Sequence, residues 1–427
     1  MRAVLAAALT TLLPAVVGRR WVSGSSVLRW SLGAVVGVVL VATGAVMGGL
    51  LGTPVVGAAL TLFIAWFVGP RLAWRVRSDH LWSPAKRTLV VVLMIGSALM
   101  LMSVLRPVPS WDAWFLWSLK AKGLASAGSF DSLVFVGRAY RYSSQDYPTL
   151  LPAWQALAYL VSGDLSVSWP LQFQQAWLWT AGAVALVGLA GRYPGPAFLL
   201  PFAWVVTPEV VWQSMQGYAD VPMALMLVLG VAVLWDNQRD PAAQIVGGVL
   251  LGGAALTKTE GLPLVAIVLA CLLVTRRLSP VLALGPAIVV ALRLPWFLFT
   301  QMHSLSNEMI NAATVSSLLG GGSPQRLPQI SFTMGSVMLS PARWGLLVPA
   351  CVVTAILARR IDPRLGVAAM LALIMFIAVY QATWSFQGST LEAFINSNAD
   401  RVLIAPLGVL ALAVALPFTR QSDSLPI

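Results

Sequence analysis

Apolar runs of roughly 15 to 25 residues recur from one end of this chain to the other. Helices of that length cross about 30 Å of hydrocarbon, and a backbone in that medium has to satisfy its own hydrogen bonds. Together these constraints admit one fold class, an all-α polytopic transmembrane helical bundle. The charge content agrees: Asp, Glu, Lys and Arg make up 10% of the 427 residues, against about 25% in a soluble domain. A net charge of +12 would suit nucleic acid in a soluble protein. Here it reflects Lys and Arg retained on the cytoplasmic side, and no nucleic acid is expected as a partner. Cys271 and Cys351 both fall inside apolar runs, so no disulfide framework is implied. His80 and His303 are far apart with no Cys nearby, which argues against structural zinc.

About thirteen spans are expected, at 3–18, 30–51, 54–70, 88–105, 171–190, 196–213, 221–235, 243–257, 262–275, 280–298, 344–358, 365–382 and 402–418. The intervals between them alternate in character. The short ones carry sixteen of the 27 basic residues, among them Arg19, Arg20, Arg29, Arg71 and Arg75, but five of the 15 acids. The long ones, 106–170, 299–343 and 383–401, are balanced. The positive-inside rule makes the short set cytoplasmic and the long set external, with the N-terminus outside and the C-terminus in the cytoplasm.

Residues 1–18 have the basic start, apolar core and small residues of a signal peptide, but Arg19 and Arg20 directly after them favour a retained span. The first three spans hold almost no interior polar groups and read as a packing module. The chain thus divides into these first spans over 1–85 and a remainder over 86–420 that carries the long external loops. The first external loop should carry short helices, and its apolar run at 150–162 is too short to cross. That run should lie along the interface or dip into it. Gly320-Gly321-Gly322-Ser323-Pro324 forms a flexible link in the second loop.

Residues apt for chemistry gather at the outer ends of the spans. Asp112 follows the run at 88–105 almost directly and is flanked by Trp111, Trp114 and Trp117. Tryptophans anchor at headgroup level, and a charge so near hydrocarbon is costly without a task. Partial desolvation raises a carboxylate's pKa and suits it to take a hydroxyl proton, so Asp112 is the candidate general base. The plainer reading is an acid paired with Arg106, Lys120 or Arg401. Trp111, Lys120, Lys122 and Tyr147, all on the same loop, are candidates for substrate binding.

Lys258 and Glu260 lie in Thr257-Lys258-Thr259-Glu260-Gly261, a turn between two runs whose far ends are basic. They either neutralise each other or present Lys258 as a phosphate donor group. Arg293 is inside a span, where an arginine faces a cavity or partner, or else snorkels to the surface. Arg401, after Asp400, opens the last span. Lys258, Arg293 and Arg401 are expected to converge on one anion near Asp112. Asp220 begins a span with Pro222 behind it, and there complementing the helix dipole is favoured over substrate binding. Glu209 is a carboxylate that needs a partner, whereas His303, Glu308 and Glu392 read as solvated surface.

The pattern resembles the GT-C superfamily of polytopic glycosyltransferases, in particular the bacterial branch akin to protein O-mannosyltransferases and aminoarabinose transferases. The likeness rests on Asp112 just after a span and on the Tyr-Pro-x-Leu-type segment at 147–152. Gly-Tyr-Ala-Asp-Val-Pro at 217–222, Ala-Leu-Thr-Lys-Thr-Glu-Gly at 255–261, Leu-Pro-Trp at 294–296 and Asp400-Arg401 extend it. It covers residues 86 to about 418. The resemblance implies a GT-C-like core and an inverting transfer from a polyprenyl-phosphate sugar donor to a glycan, lipid or protein acceptor. Asp112 would be the base, with Lys258, Arg401 and Arg293 holding the lipid phosphate. Two departures stand out: three spans precede the one leading to Asp112, and one acid stands where relatives carry a pair. No cofactor is implied; some relatives use a divalent metal, and this sequence offers no cluster that argues for one.

The expected function is therefore an integral-membrane glycosyltransferase of the bacterial cell envelope, working on the external face of the cytoplasmic membrane. A polymerase of lipid-linked glycans is a neighbouring enzyme reading, and a transporter or lipid flippase is the alternative of a different class. It ranks lower because the charges collect on one side and no repeat is visible. An assembly partner docking through the Trp-rich loop is a further rival.

Overall fold

The computed structural model describes residues 1–76, 81, 83–106, 110–191, 198–237, 239–273, 280–305, 316, 326–358, 361–382 and 391–419. It is 84% helical, which places the chain in the all-α class. The helices are α1 (Arg2–Gly18), α2 (Ser26–Leu50), α3 (Pro54–Val68), α4 (Ser83–Leu105), α5 (Leu119–Ala127), α6 (Leu133–Val136) and α7 (Leu150–Ser162). They continue with α8 (Trp169–Ala190), α9 (Leu199–Val205), α10 (Pro208–Ser214), α11 (Asp220–Asp236), α12 (Pro241–Thr257), α13 (Gly261–Leu273) and α14 (Leu284–Met302). The last are α15 (Arg326–Met338), α16 (Pro341–Trp344), α17 (Leu347–Ala358), α18 (Pro363–Ala382) and α19 (Leu391–Ala415). Two short strands, β1 (Val22–Ser23) and β2 (Trp74–Arg75), pair in parallel.

Among the described residues, seven helical segments are long and apolar enough to cross a membrane: Arg2–Trp21, Ser26–Leu50, Pro54–Arg71, Ser83–Leu105, Pro280–Met302, Pro363–Gln381 and Leu391–Ala415. The protein is accordingly a multi-pass membrane protein. Five further apolar helices are shorter, including Asp220–Trp235, Pro241–Thr257 and Gly261–Leu273. The run at 196–213 is not one helix but two, α9 and α10. Thr207 turns extended before Pro208 (φ −56°, ψ 144°), and its hydroxyl accepts the Val210 N–H to start α10. A residue before proline is pushed out of the helical region, so the break is local in origin. The last helix also begins earlier than expected. Residues 391–401 belong to α19, and Asp400 and Arg401 lie within it rather than at its start.

Of the first three helices, α2 is built into the core. α2 packs on α1, α3, α7 and α8 and is buried along most of its length. Gly37 sits so close to the Pro14 carbonyl, and Gly57 to the Gly44 carbonyl, that a Cβ at either would collide with backbone. Small residues at such crossings let helices approach where no hydrophobic effect drives them together. The short run at 150–162 is helical, as α7, but it is enclosed. Only Leu160 and Val161 escape full burial, and α1, α2 and α5 cover the rest.

Buried tryptophans tie distant elements together. The indole N–H groups of Trp154, Trp204 and Trp296 donate to the backbone carbonyls of Thr10, Ile404 and Asp146, at 2.8, 3.0 and 3.1 Å. Each ring thereby buries its large apolar body without leaving its one donor unpaired. The link at 320–324 and Glu308 lie outside the described residues.

Candidate functional site

Beyond α4 the chain re-enters helix at Trp111 and Asp112 and continues as a π-helical turn, Ala113–Ser118. Such turns carry one residue more per hydrogen-bonded ring and recur at functional sites. Trp111 and Trp114 are left exposed and Trp117 is wholly buried. Trp111 stacks on Phe115 and Phe115 on Tyr142, at centroid distances of 4.8 and 4.4 Å. These rings edge a cleft of about 360 Å³.

Charged groups in and behind the lining form one network. Arg401, from α19, donates through Nη1 to Asp112 and through Nε and Nη2 to Asp220 at 3.3 and 3.2 Å. The Tyr218 ring lies 4.0 Å from the same guanidinium. Lys258 Nζ lies 2.8 Å from Asp220 Oδ1 and 3.2 Å from Glu260 Oε1. Three carboxylates thus face two cations. The Asp220 side chain is 1% exposed and that of Asp112 35%, so Asp220 is the buried anchor and Asp112 the accessible end. Burial lowers the pKa of Lys258, Asp220 and Glu260 raise it, and the balance lies above the ordinary lysine value.

The rest of the lining is largely apolar and aromatic and includes Met375, Phe376, Val379 and Tyr380 of α18 with Phe394 and Val402 of α19. Tyr380 and Phe394 meet edge to face at 5.8 Å.

Of the residues expected at the site, Trp111, Asp112, Tyr147, Lys258, Glu260 and Arg401 line this cleft, and Asp220 lies directly behind it. Asp220 does not act as a simple helix-dipole acid; its carboxylate holds both cations. Asp112 is engaged by Arg401, as the plainer of the two readings had it. Arg293 does not line the cleft. It sits on α14 within electrostatic reach of Asp146, and its Nε and Nη1 are buried without hydrogen-bond partners.

Lys120 and Lys122 also lie off the cleft. Lys122 points to the Tyr159 ring, 5.8 Å away. Lys120 is fully buried, and its ammonium donates to the Ser144 carbonyl. Burial pulls its pKa down to about 7, against a smaller opposing pull from Asp146. The Tyr147 hydroxyl is pushed well above its ordinary value, first by burial and then by Glu260 and Asp146.

Glu209 has its partner: Gln213 Nε2 donates to it at 2.6 Å. His303 is not simply solvated but lies 3.3 Å from Asp131 and against the Phe299 ring. Glu392 is on the exposed first turn of α19. Among the described residues no three His, Cys, Asp or Glu gather as metal ligands. Tyr380 also lines the cleft but does not stand out in the sequence, because a Tyr near the end of an apolar run looks like an ordinary interfacial anchor.

Fold and site together define a class: a multi-pass helical membrane protein with a buried carboxylate–cation network opening onto an aromatic cleft. No protein-family model, curated protein or solved structure matches the chain.

Proposed function

We propose that the protein is an integral-membrane glycosyltransferase of the bacterial cytoplasmic membrane. It would move a sugar from a polyprenyl-phosphate donor to an envelope hydroxyl on the external face. The observation that carries this reading is the cleft's mixed lining, which joins Asp112, Arg401 and Lys258 with Phe376, Val379, Tyr380 and Phe394. A donor with a phosphate next to a long hydrocarbon matches that combination in both charge and polarity.

In the resting arrangement Arg401 spends one N–H on Asp112 and two on Asp220. An arriving phosphate competes with Asp112 for the first, while Asp220 keeps the guanidinium in place. Asp112, released, takes the proton of the acceptor hydroxyl. The acceptor oxygen then attacks the anomeric carbon from the face opposite the phosphate. The bond from that carbon to the phosphate oxygen breaks with its electron pair going to the phosphate, and the configuration inverts. Lys258 and Arg401 offset the charge that develops there.

The transport reading, which includes a lipid flippase, has one observation in its favour, the interruption between α9 and α10 at Thr207. One experiment separates the two. Purified protein in liposomes is supplied with radiolabelled polyprenyl-phosphate sugars and a crude envelope acceptor. Label passing to the acceptor supports transfer. Label crossing the bilayer still attached to its lipid supports transport instead.

A further inference from the structure

Far from the carboxylate site lies a second polar cavity, and its lining is wholly different. It measures about 420 Å³ and is bounded by Arg19, Arg20, Arg29, Ser23, Gly24 and Trp66, among others. Gly49, at the end of α2, accepts a hydrogen bond from Phe130 of the interval that carries Asp112. Arg29 is in the first turns of the same helix. The cavity and that interval thus meet α2 at opposite ends of its 25 residues, a helix length of about 37 Å.

The arginines are held, not loose. The Arg20 guanidinium lies 4.0 Å over the Trp66 ring and that of Arg19 4.5 Å over Trp30. The turn that carries them is pinned by the Trp21 indole, which donates to Ala65 at 3.1 Å, and by the β1–β2 pairing directly after it. Among the described residues, no carboxylate forms an ion pair with any of the three. Three like charges lining one cavity repel unless an anion is shared between them. Arginine is the side chain best matched to phosphate, since its fork offers paired donors.

Beside the cavity, the face of α3 that carries Trp66 turns apolar and exposed. Phe63 and Phe67 are 63% and 58% exposed and meet edge to face at 4.9 Å. Such a surface in a membrane protein takes acyl chains. We propose that this cavity binds the phosphate of an anionic glycerophospholipid, with its chains lying along α3. The inference is independent of the glycosyl-transfer reading.

The test uses full-length protein in zwitterionic detergent, titrated with dioctanoyl phosphatidylglycerol, dioctanoyl phosphatidylcholine and glycerol 1-phosphate and followed by native mass spectrometry. Binding of phosphatidylglycerol is expected to saturate, and to weaken about tenfold in the Arg20→Gln/Arg29→Gln variant. Arg141→Gln, an exposed change elsewhere, should leave it unaltered. Should the double variant not fold, Arg29→Gln alone gives the same comparison with a smaller loss. Equal binding by wild type and the Arg variants, or equal binding of the two lipids, overturns the proposal. Glycerol 1-phosphate binding as tightly as phosphatidylglycerol overturns the assignment to a lipid and makes the ligand a soluble phosphate.

Discussion

Arg401 reaches Oδ2 of Asp220 with both Nε and Nη2, at 3.3 and 3.2 Å, across 181 positions of sequence. The contact ties α19 to the start of α11, and Lys258 ties the same carboxylate to the turn after α12. Three chain segments distant in sequence are therefore held by one buried group. The energetics of such a group are asymmetric. The intact pair gains little over apolar packing, but removal of one partner leaves uncompensated charge in a dry site.

Asp220→Ala should thus lower stability by about 3 kcal/mol or more, since it leaves Lys258 and Arg401 without their shared partner. Adding Lys258→Ala to it should cost less than the two single changes together. Melting curves of the four proteins in one detergent check both statements, and additive losses would count against the network.

Arg401→Lys keeps the charge but loses the fork that spans Asp112 and Asp220. Donor binding should weaken about tenfold, because a lysine cannot hold the anchor and the phosphate at once. Equilibrium binding of a polyprenyl-phosphate sugar, measured apart from turnover, provides the check.

Lys120 gives the fold a pH dependence of known sign. Its folded pKa of about 7 lies below the ordinary 10.5, so above pH 7 the unfolded chain binds more protons at this residue than the folded one. This residue's contribution to stability should therefore rise between pH 7 and 9 and be level below about pH 6. In Lys120→Met that rise should disappear, a difference visible in melting temperatures recorded across the range.

The aromatic part of the lining should matter in proportion to the length of the donor's hydrocarbon. Phe376→Ala removes apolar surface from the cleft, so its cost should be large for long polyprenyl donors and small for water-soluble short-chain ones. Relative affinities for a series of chain lengths read this directly; a uniform loss would place the lipid elsewhere.

How far the sequence reached can be traced residue by residue. Apolar run length located the seven long helices, because a span's composition is dictated by its surroundings. It did not find the break at Thr207, where one proline outweighed an unbroken hydropathy signal. Nor did it see that 391–401 is helical, since a polar helix beyond the apolar part has no hydropathy signature. At the site, Asp112, Lys258 and Arg401 stood out because charges next to apolar runs are rare. Asp220 read as a helix-dipole acid because that role and an ion-pair role require the same residue at the same position. Only tertiary contact separates them. Arg293 satisfied every sequence criterion yet sits off the cleft lining, because which way a helix face turns depends on packing.

The measurement that bears most directly on the account is sugar transfer by wild type and Asp112→Asn, with donor binding measured on the same preparations. Asparagine preserves the shape at the cleft mouth but cannot take a proton. The account predicts turnover reduced by about a hundredfold or more, with the donor still bound. Equal turnover in the two proteins would contradict it and remove Asp112 from the chemistry.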